Sequence, residues 1–151
     1  MEDVAPLVAV RPMKAGDIFR VAGIEREAFG RPGAGAELEK ELQLPQSRPC
    51  VATVAGAVVG SLIYWQVTDE FQLLDIAVAR EFRCRGVAGQ MLDYLVVEAD
   101  TLLDAAIHLE VAARNSSALR LYTSRGFVEV GVRENYYGPG ENAFLLSRRA
   151  R

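Results

Sequence analysis

The sequence predicts a single mixed α/β domain over residues 1–151, and three observations carry that prediction. The 151 residues are 50% hydrophobic and 25% charged, which is apolar material for one core and too short a chain for two. Strand-like apolar runs alternate with stretches whose apolar residues recur at the 3.6-residue period of a helix. Turn residues punctuate the chain so that the elements read β-α-α-β-β-β-α-β-α-β-β, with no internal repeat and no linker.

Taken in order, Val8–Arg11 is a short strand. Asp17 can cap the helix Asp17–Phe29, along which Ile18, Val21, Ala22, Glu25, Ala28 and Phe29 keep a mostly apolar helical spacing. Gly30–Gly35 breaks it, and Ala36–Leu44 forms a shorter helix with Leu38 and Leu42 on one face, ended by Pro45. Cys50–Val54 and Val58–Val67 flank the turn Ala55-Gly56-Ala57 and read as a hairpin. Phe71–Val78 is apolar enough for a central strand. After the polar Ala79–Gly86, the stripe Met91, Leu92, Leu95, Val96, Ala99, Leu102 and Leu103 marks a helix from Val87. Ala106–Val111 is a strand, and Asn115 caps a helix to Arg125 that Gly126 stops. Strands near Phe127–Tyr137 and Asn142–Ser147 close the chain around Gly138-Pro139-Gly140.

Composition narrows the function. No apolar run reaches the roughly 18 residues that span a bilayer. Glu2 and Asp3 stand where a signal peptide carries positive charge, so a cytoplasmic protein without a membrane partner is expected. The formal net charge of −3 disfavours nucleic acid as a partner. Arg83, Arg85 and the Arg148-Arg149-Arg151 tail are the cations such a reading would need. Cys50, Cys84 and the single His108 are too few and too scattered for a zinc site, so no metal is expected.

Three places invite chemistry. Arg83-Cys84-Arg85-Gly86-Val87-Ala88-Gly89 joins a buried strand to a long helix. Its small residues would let a phosphate approach the unpaired first-turn N–H groups, or would simply allow close packing. It matches neither a Walker loop nor a dinucleotide fingerprint. Glu110, inside the apolar strand, either pairs with an arginine at the surface or faces a site, where a carboxylate partly withdrawn from water serves as a base. His108 on the same strand face reads as a structural histidine. Tyr122 follows the apolar face of its helix, and Asn115 is accounted for as a cap. Tyr136-Tyr137 are cross-strand aromatics or a groove wall.

Together these segments resemble the GNAT superfamily of acyl-CoA-dependent N-acetyltransferases over nearly the whole chain. The core of the match is Leu74-Asp75-Ile76-Ala77-Val78 followed by Arg83-x-x-Gly86-x-Ala88. Leu109-Glu110-Val111, Asn115, Leu121-Tyr122-x-x-x-Gly126-Phe127 and Arg133-x-Asn135-Tyr136-Tyr137 look most like its ribosomal-protein-alanine (RimI) group. Three departures stand out. Ala112 replaces a usual Arg, Phe29-Gly30-Arg31-Pro32-Gly33 replaces a Phe-Pro-Trp-like stretch, and Glu141-Asn142-Ala143 replaces Glu-Asp-Ala.

The resemblance implies a mixed, mostly antiparallel sheet of about six to seven strands flanked by about four helices. It implies acetyl-CoA as cosubstrate, with Ile76, Ala77 and Val78 beside the pantetheine arm and Arg83, Cys84, Arg85, Gly86, Val87, Ala88 and Gly89 around the pyrophosphate. Asn115 would also touch the cosubstrate. Glu110 would be the general base and Tyr122 the general acid. Arg31, Arg133 and Tyr136 would meet the acceptor, a protein or peptide N-terminus such as that of a ribosomal protein, in a monomer or weak homodimer. The alternatives are acetylation of a small amine or a lysine, and a non-catalytic acyl-CoA-binding module.

Overall fold

The computed structural model describes residues 5–30 and 34–150. Their strands form a seven-stranded sheet in the order β1-β2-β3-β4-β5-β7-β6, comprising β1 (Ala9–Pro12), β2 (Ser47–Val54), β3 (Ala57–Val67), β4 (Glu70–Val78), β5 (Ala106–Ala112), β6 (Val128–Arg133) and β7 (Ala143–Arg149). The helices are α1 (Ile18–Phe29), α2 (Ala34–Gln43), α3 (Val87–Asp100) and α4 (Ser116–Thr123). The β1/β2, β2/β3, β5/β7 and β6/β7 pairs are antiparallel, and β4/β5 is parallel. The chain divides into two compact units, Met1–Gln66 with Leu74–Leu95, and Val67–Leu73 with Val96–Arg151.

In the first unit, Met13, Val21, Ala22, Leu38, Val51 and Ile63 form one apolar cluster and Ile24, Ala77 and Ala79 another. The inward stripe of α1 is Val21, Ala22, Ile24 and Glu25, with Ile18 packed beside it, so the predicted face holds up to Glu25 and is lost at Ala28 and Phe29, which are exposed. Asp17 does not cap α1 with its side chain. Its carboxylate accepts from Arg11 Nη1 and Nη2 at 2.8 and 3.0 Å and from the Lys14 amide at 2.8 Å. The Arg11 guanidinium holds it below the usual carboxylate range. The β2/β3 hairpin turns at Ala55 and Gly56, both at positive φ, as a two-residue turn between right-twisted strands requires. β2 starts before the predicted Cys50. Pro49 pairs opposite Ile63 and offers its carbonyl to the Met13 amide, so the strand tolerates the missing N–H.

The second unit packs Phe71, Ile107, Leu109, Phe127 and Leu146, each 5% exposed or less. Asn115 Oδ1 accepts from the Ala118 amide at 3.2 Å, so the cap on α4 stands where the sequence put it. β6 ends at Arg133 and not at the predicted Tyr137. Asn135 adopts φ 56° there, its amide donates to Asn142 Oδ1, and its own Oδ1 accepts from the Gly140 amide.

Arg148 is no part of an exposed basic tail. It is 6% exposed and donates to both carboxylate oxygens of Asp100, at 2.9 and 3.1 Å, and to the Arg125 carbonyl at 2.8 Å. Replacing Arg148 with Met removes a buried guanidinium together with its bonds to Asp100 and to the Arg125 carbonyl. We expect a loss of about 3 kcal/mol in chemical denaturation, with only partial recovery in Arg148→Lys, which lacks the planar fork. A change below about 0.5 kcal/mol, the size of an ordinary surface substitution, would contradict it.

Candidate active site

In the first unit the strand–loop–helix segment is built around a close backbone approach. A side chain at Gly60 of β3 would put its Cβ 2.8 Å from the Ala77 carbonyl oxygen and 3.0 Å from Met91 Cε, so glycine is what lets β3 lie this near to β4. The Ala79 amide donates to the Val59 carbonyl at 2.8 Å, and Ala77 is 2% exposed. Ile76 and Val78 are half-buried. Arg83 Nε donates to the Val78 carbonyl at 3.1 Å, closing the loop back onto the end of its strand.

Beyond Arg83 the backbone takes positive φ at Cys84 (60°) and at Gly86 (81°). That conformation costs a non-glycine residue about 1 kcal/mol or more. Cys84 is an exposed free thiol, and Arg85 lies over the Phe82 ring at 5.8 Å. The first helical turn of α3 follows, with Gln90 donating to the Gly86 carbonyl at 3.1 Å. The amides of Val87, Ala88 and Gly89 therefore precede the helix's own ladder. Val87 and Gly89 are buried, and Ala88 is half-buried. Gln90 also ties the segment before β1 to α3, donating to the Pro6 carbonyl at 2.7 Å and accepting from the Val8 amide at 3.1 Å.

The second unit brings together four of its chemical side chains. Glu110 Oε1 lies 3.1 Å from Arg133 Nη2, with the two side chains 26% and 54% exposed. This is the arginine pairing that sequence left open. The Arg133 guanidinium sits over the Tyr136 ring at 5.6 Å, and Tyr136 meets Tyr137 edge-on at 4.9 Å. Burial raises the Tyr137 phenol above its ordinary value, and Tyr136 and the Glu110 carboxylate push it the same way. The two tyrosines are thus neighbours in a turn and not cross-strand partners.

Tyr137 also lines a cavity of about 480 Å³ with Ala112, Ala113, Arg114, Gly140, Glu141 and Asn142, and Arg114 pairs with Glu141 at 2.7 Å. Tyr137 is thus a groove wall, one of the two readings its sequence allowed. Arg114 and Glu141 are not among the residues the sequence singles out for a site, because their pairing joins two segments 27 positions apart. The loop is held by backbone bonds from Ala113 to Asn142 and from Tyr137 to Glu141.

Tyr122, half-buried on α4, packs on Phe127 with ring centroids 5.6 Å apart. His108 contacts Ser147 Oγ through Nδ1 and Glu70 Oε2 through Nε2, both at 2.6 Å, so both ring nitrogens are engaged. Arg31 lies outside the described residues.

Comparison with known proteins identifies the family. The sequence profile of the Acetyltransferase (GNAT) family matches residues 18–127. The chain is 29% identical to the N-alpha-acetyltransferase RimI of Mycobacterium tuberculosis over 93% of its length and 92% of that protein's. It is 42% identical over 71 residues to the ribosomal protein bS18-alanine N-acetyltransferase of Salmonella typhimurium, covering 47% of this chain. The chain spans 48% of that enzyme's length and 42% of a Mycobacterium leprae relative without an assigned activity. The crystal structure of the ribosomal-protein-S18-alanine N-acetyltransferase from Escherichia coli superposes with a TM-score of 0.85 at 26% identity, over 95% of this chain and 94% of that one. The profile runs from the first residue of α1, through the α3 loop and Glu110, to the Phe127 that supports Tyr122, and the chain belongs to the GNAT acetyltransferase family.

Proposed function

We propose that the chain is an acetyl-CoA-dependent N-acetyltransferase acting on the N-terminal α-amine of a protein, of the ribosomal-protein-alanine type. The observation that carries the reading is Glu110. It is a carboxylate on a largely apolar strand, a quarter exposed, and its chain runs directly into the residues lining the cavity. The names of the M. tuberculosis and S. typhimurium relatives support the α-amine as acceptor.

Acetyl-CoA, when bound, supplies the activated acetyl thioester. Its fit rests on the α3 loop. Positive φ at Cys84 and Gly86 is the backbone form that gathers amides into an anion-binding concavity, and the unladdered amides of the first α3 turn follow. Arg83, Cys84, Arg85, Gly86, Val87, Ala88 and Gly89 would hold the pyrophosphate. The backbone of Ile76, Ala77 and Val78 would run beside the pantetheine arm, where the Arg83 contact on the Val78 carbonyl must yield or be shared. Asn115 would touch the cosubstrate while keeping its bond to Ala118.

The chemistry then needs two proton transfers. A peptide α-amine has a pKa of about 8 and is largely protonated at neutral pH, so it must lose a proton to attack. Glu110 takes a proton from the amine, directly or through one water, as the nitrogen lone pair forms the new amide bond. Tyr122 hands a proton to the departing sulfur, a step suited to a phenol of pKa about 10. Arg133 and Tyr136, with Arg31, would meet the acceptor.

A mixed peptide pool tests the acceptor. The pool varies the first residue, includes N-blocked peptides with free lysines, and is read by tandem mass spectrometry after incubation with acetyl-CoA. We expect acetyl groups on free N-termini, alanine foremost. Labelling of lysines alone would make the chain a side-chain acetyltransferase. Bound acetyl-CoA with no labelled peptide would leave a small-amine enzyme or a binding module.

Two variants test the roles. Glu110→Gln should keep acetyl-CoA binding and lose turnover, most severely at low pH. Parent-like rates across roughly pH 6–9, a window that spans the amine's ionisation, would remove it as the base. Tyr122→Phe should slow turnover by roughly 100- to 10,000-fold, and a change under about threefold would remove it as the acid.

A further inference from the structure

The carboxylate read above as the base already holds a cation. Arg133 Nη2 lies 3.1 Å from Oε1 of Glu110, and the guanidinium is backed by the face of Tyr136. We propose that Arg133 is a positioning residue that keeps the acceptor amine neutral: it holds Oε1 of Glu110, leaves Oε2 to the amine, and makes the ammonium form of the acceptor unfavourable. This rests on the reading of Glu110 as the base.

Charge count on this face of the second unit decides what an arriving amine meets. Four neighbouring charged or titratable groups, His108, Arg114, Glu141 and Tyr137, offer it no free charge. His108, two residues before Glu110 on β5, is taken up by Ser147 and Glu70. Arg114 and Glu141 neutralise one another at 2.7 Å. Tyr137, its phenol pushed up, carries no negative charge at neutral pH. Glu110 is therefore the carboxylate that an arriving amine must share with Arg133. An ammonium group there would put two cations on one negative charge. A neutral amine meets no such penalty and keeps the lone pair it needs for attack. A like charge a few ångströms away lowers an amine's pKa by about one unit or more.

The test compares two acceptors on the full chain with acetyl-CoA. One is an alanine-first peptide. The other is the same peptide begun by an aminooxy group, a far weaker base that is uncharged at neutral pH. At saturating acceptor and about pH 6, two units below the ordinary α-amine pKa, Arg133→Gln should lower kcat about tenfold or more on the α-amine. Whatever change it causes at pH 9, the ratio of its kcat at pH 6 to that at pH 9 should fall about tenfold below the parent's on the α-amine and match the parent's within about twofold on the aminooxy peptide. Arg133→Lys, which keeps the cation, should restore the rate at low pH. Equal losses on both acceptors, or no loss on the α-amine, would overturn the proposal. Glu110→Gln runs alongside. Its full activity would overturn the base reading and this inference with it, whereas an inactive Glu110→Gln beside an Arg133→Gln whose loss does not depend on pH would overturn this inference alone.

Discussion

A guanidinium withdrawn from water is tolerated only when its charge and its donors are met, and Arg148 is the residue on which that requirement falls hardest here. Its bonds to both oxygens of Asp100 and to the Arg125 carbonyl join β7 to the end of α3 and to the segment that leaves α4. Side chains on a strand alternate, so holding Arg148 inward also fixes the direction of its neighbours. Leu146 lies on the inward side with it, and Leu145 and Ser147 turn to the other face. The β5/β7 register then pairs Leu145 with Glu110 and Ser147 with His108. A one-residue slip of β7 would break the buried ion pair, which is why the face carrying Glu110 is set so firmly. The surface that carries Glu110 is thus positioned by a charge beneath it.

A second constraint delivers Arg133. Along β6, Val128 opposes Ser147, but Gly131 opposes Leu145, so three steps on β6 match two on β7. This bulge, at the edge of the sheet, reverses the alternation that follows it. With an unbroken register Val132 would face Ala143 and share the Glu110 face, and Arg133 would point the opposite way. The extra residue puts Arg133 opposite Ala143, two strands and about 10 Å from β5, a gap that an arginine side chain spans. Gly131 suits the same purpose. A Cβ there would come 3.0 Å from Leu145 Cδ1, in the row that links Gly131, Leu145 and Glu110.

What the sequence disclosed and what it hid divide along the same line. The hairpin at Ala55-Gly56, the cap at Asn115 and the helix after Gly86 depend on residues within a few positions of each other, and all three stand where local chemistry puts them. Asp17 was legible as a helix-start residue but not as the partner of Arg11, because that pairing follows the path of the chain between β1 and α1. Strand β6 read as running to Tyr137 because nothing local announces that Asn135 will adopt a left-handed conformation. The bond that steadies its amide comes from Asn142, across the loop. Arg148 read as solvent-facing because its acid lies 48 positions away. The Glu110–Arg133 pair needed three strands and a bulge, and periodicity could report only that an acid sat among apolar residues.

That division bears on how such a site varies. The segment proposed for acetyl-CoA is contiguous, from Ile76 to Gly89, and its geometry is carried by φ angles and a helix start that a short stretch encodes by itself. The groups that would meet the acceptor belong to β5, β6 and the loop after β6, and they reach one another only through register and loop bonds. Asn142 illustrates the tolerance this gives. Its side-chain carbonyl accepts from Asn135 as a carboxylate would, and its backbone carbonyl accepts from Ala113, so the loop keeps its form without the acid. Arg114 and Glu141, by contrast, place a closed ion pair on the cavity wall, so Glu141 is already matched there. A change of acceptor on this scaffold therefore calls for no alteration of the α3 loop. Moving one charge between neighbouring positions of the β5–α4 connection, or one residue in the β6 bulge, would alter the face that carries Glu110.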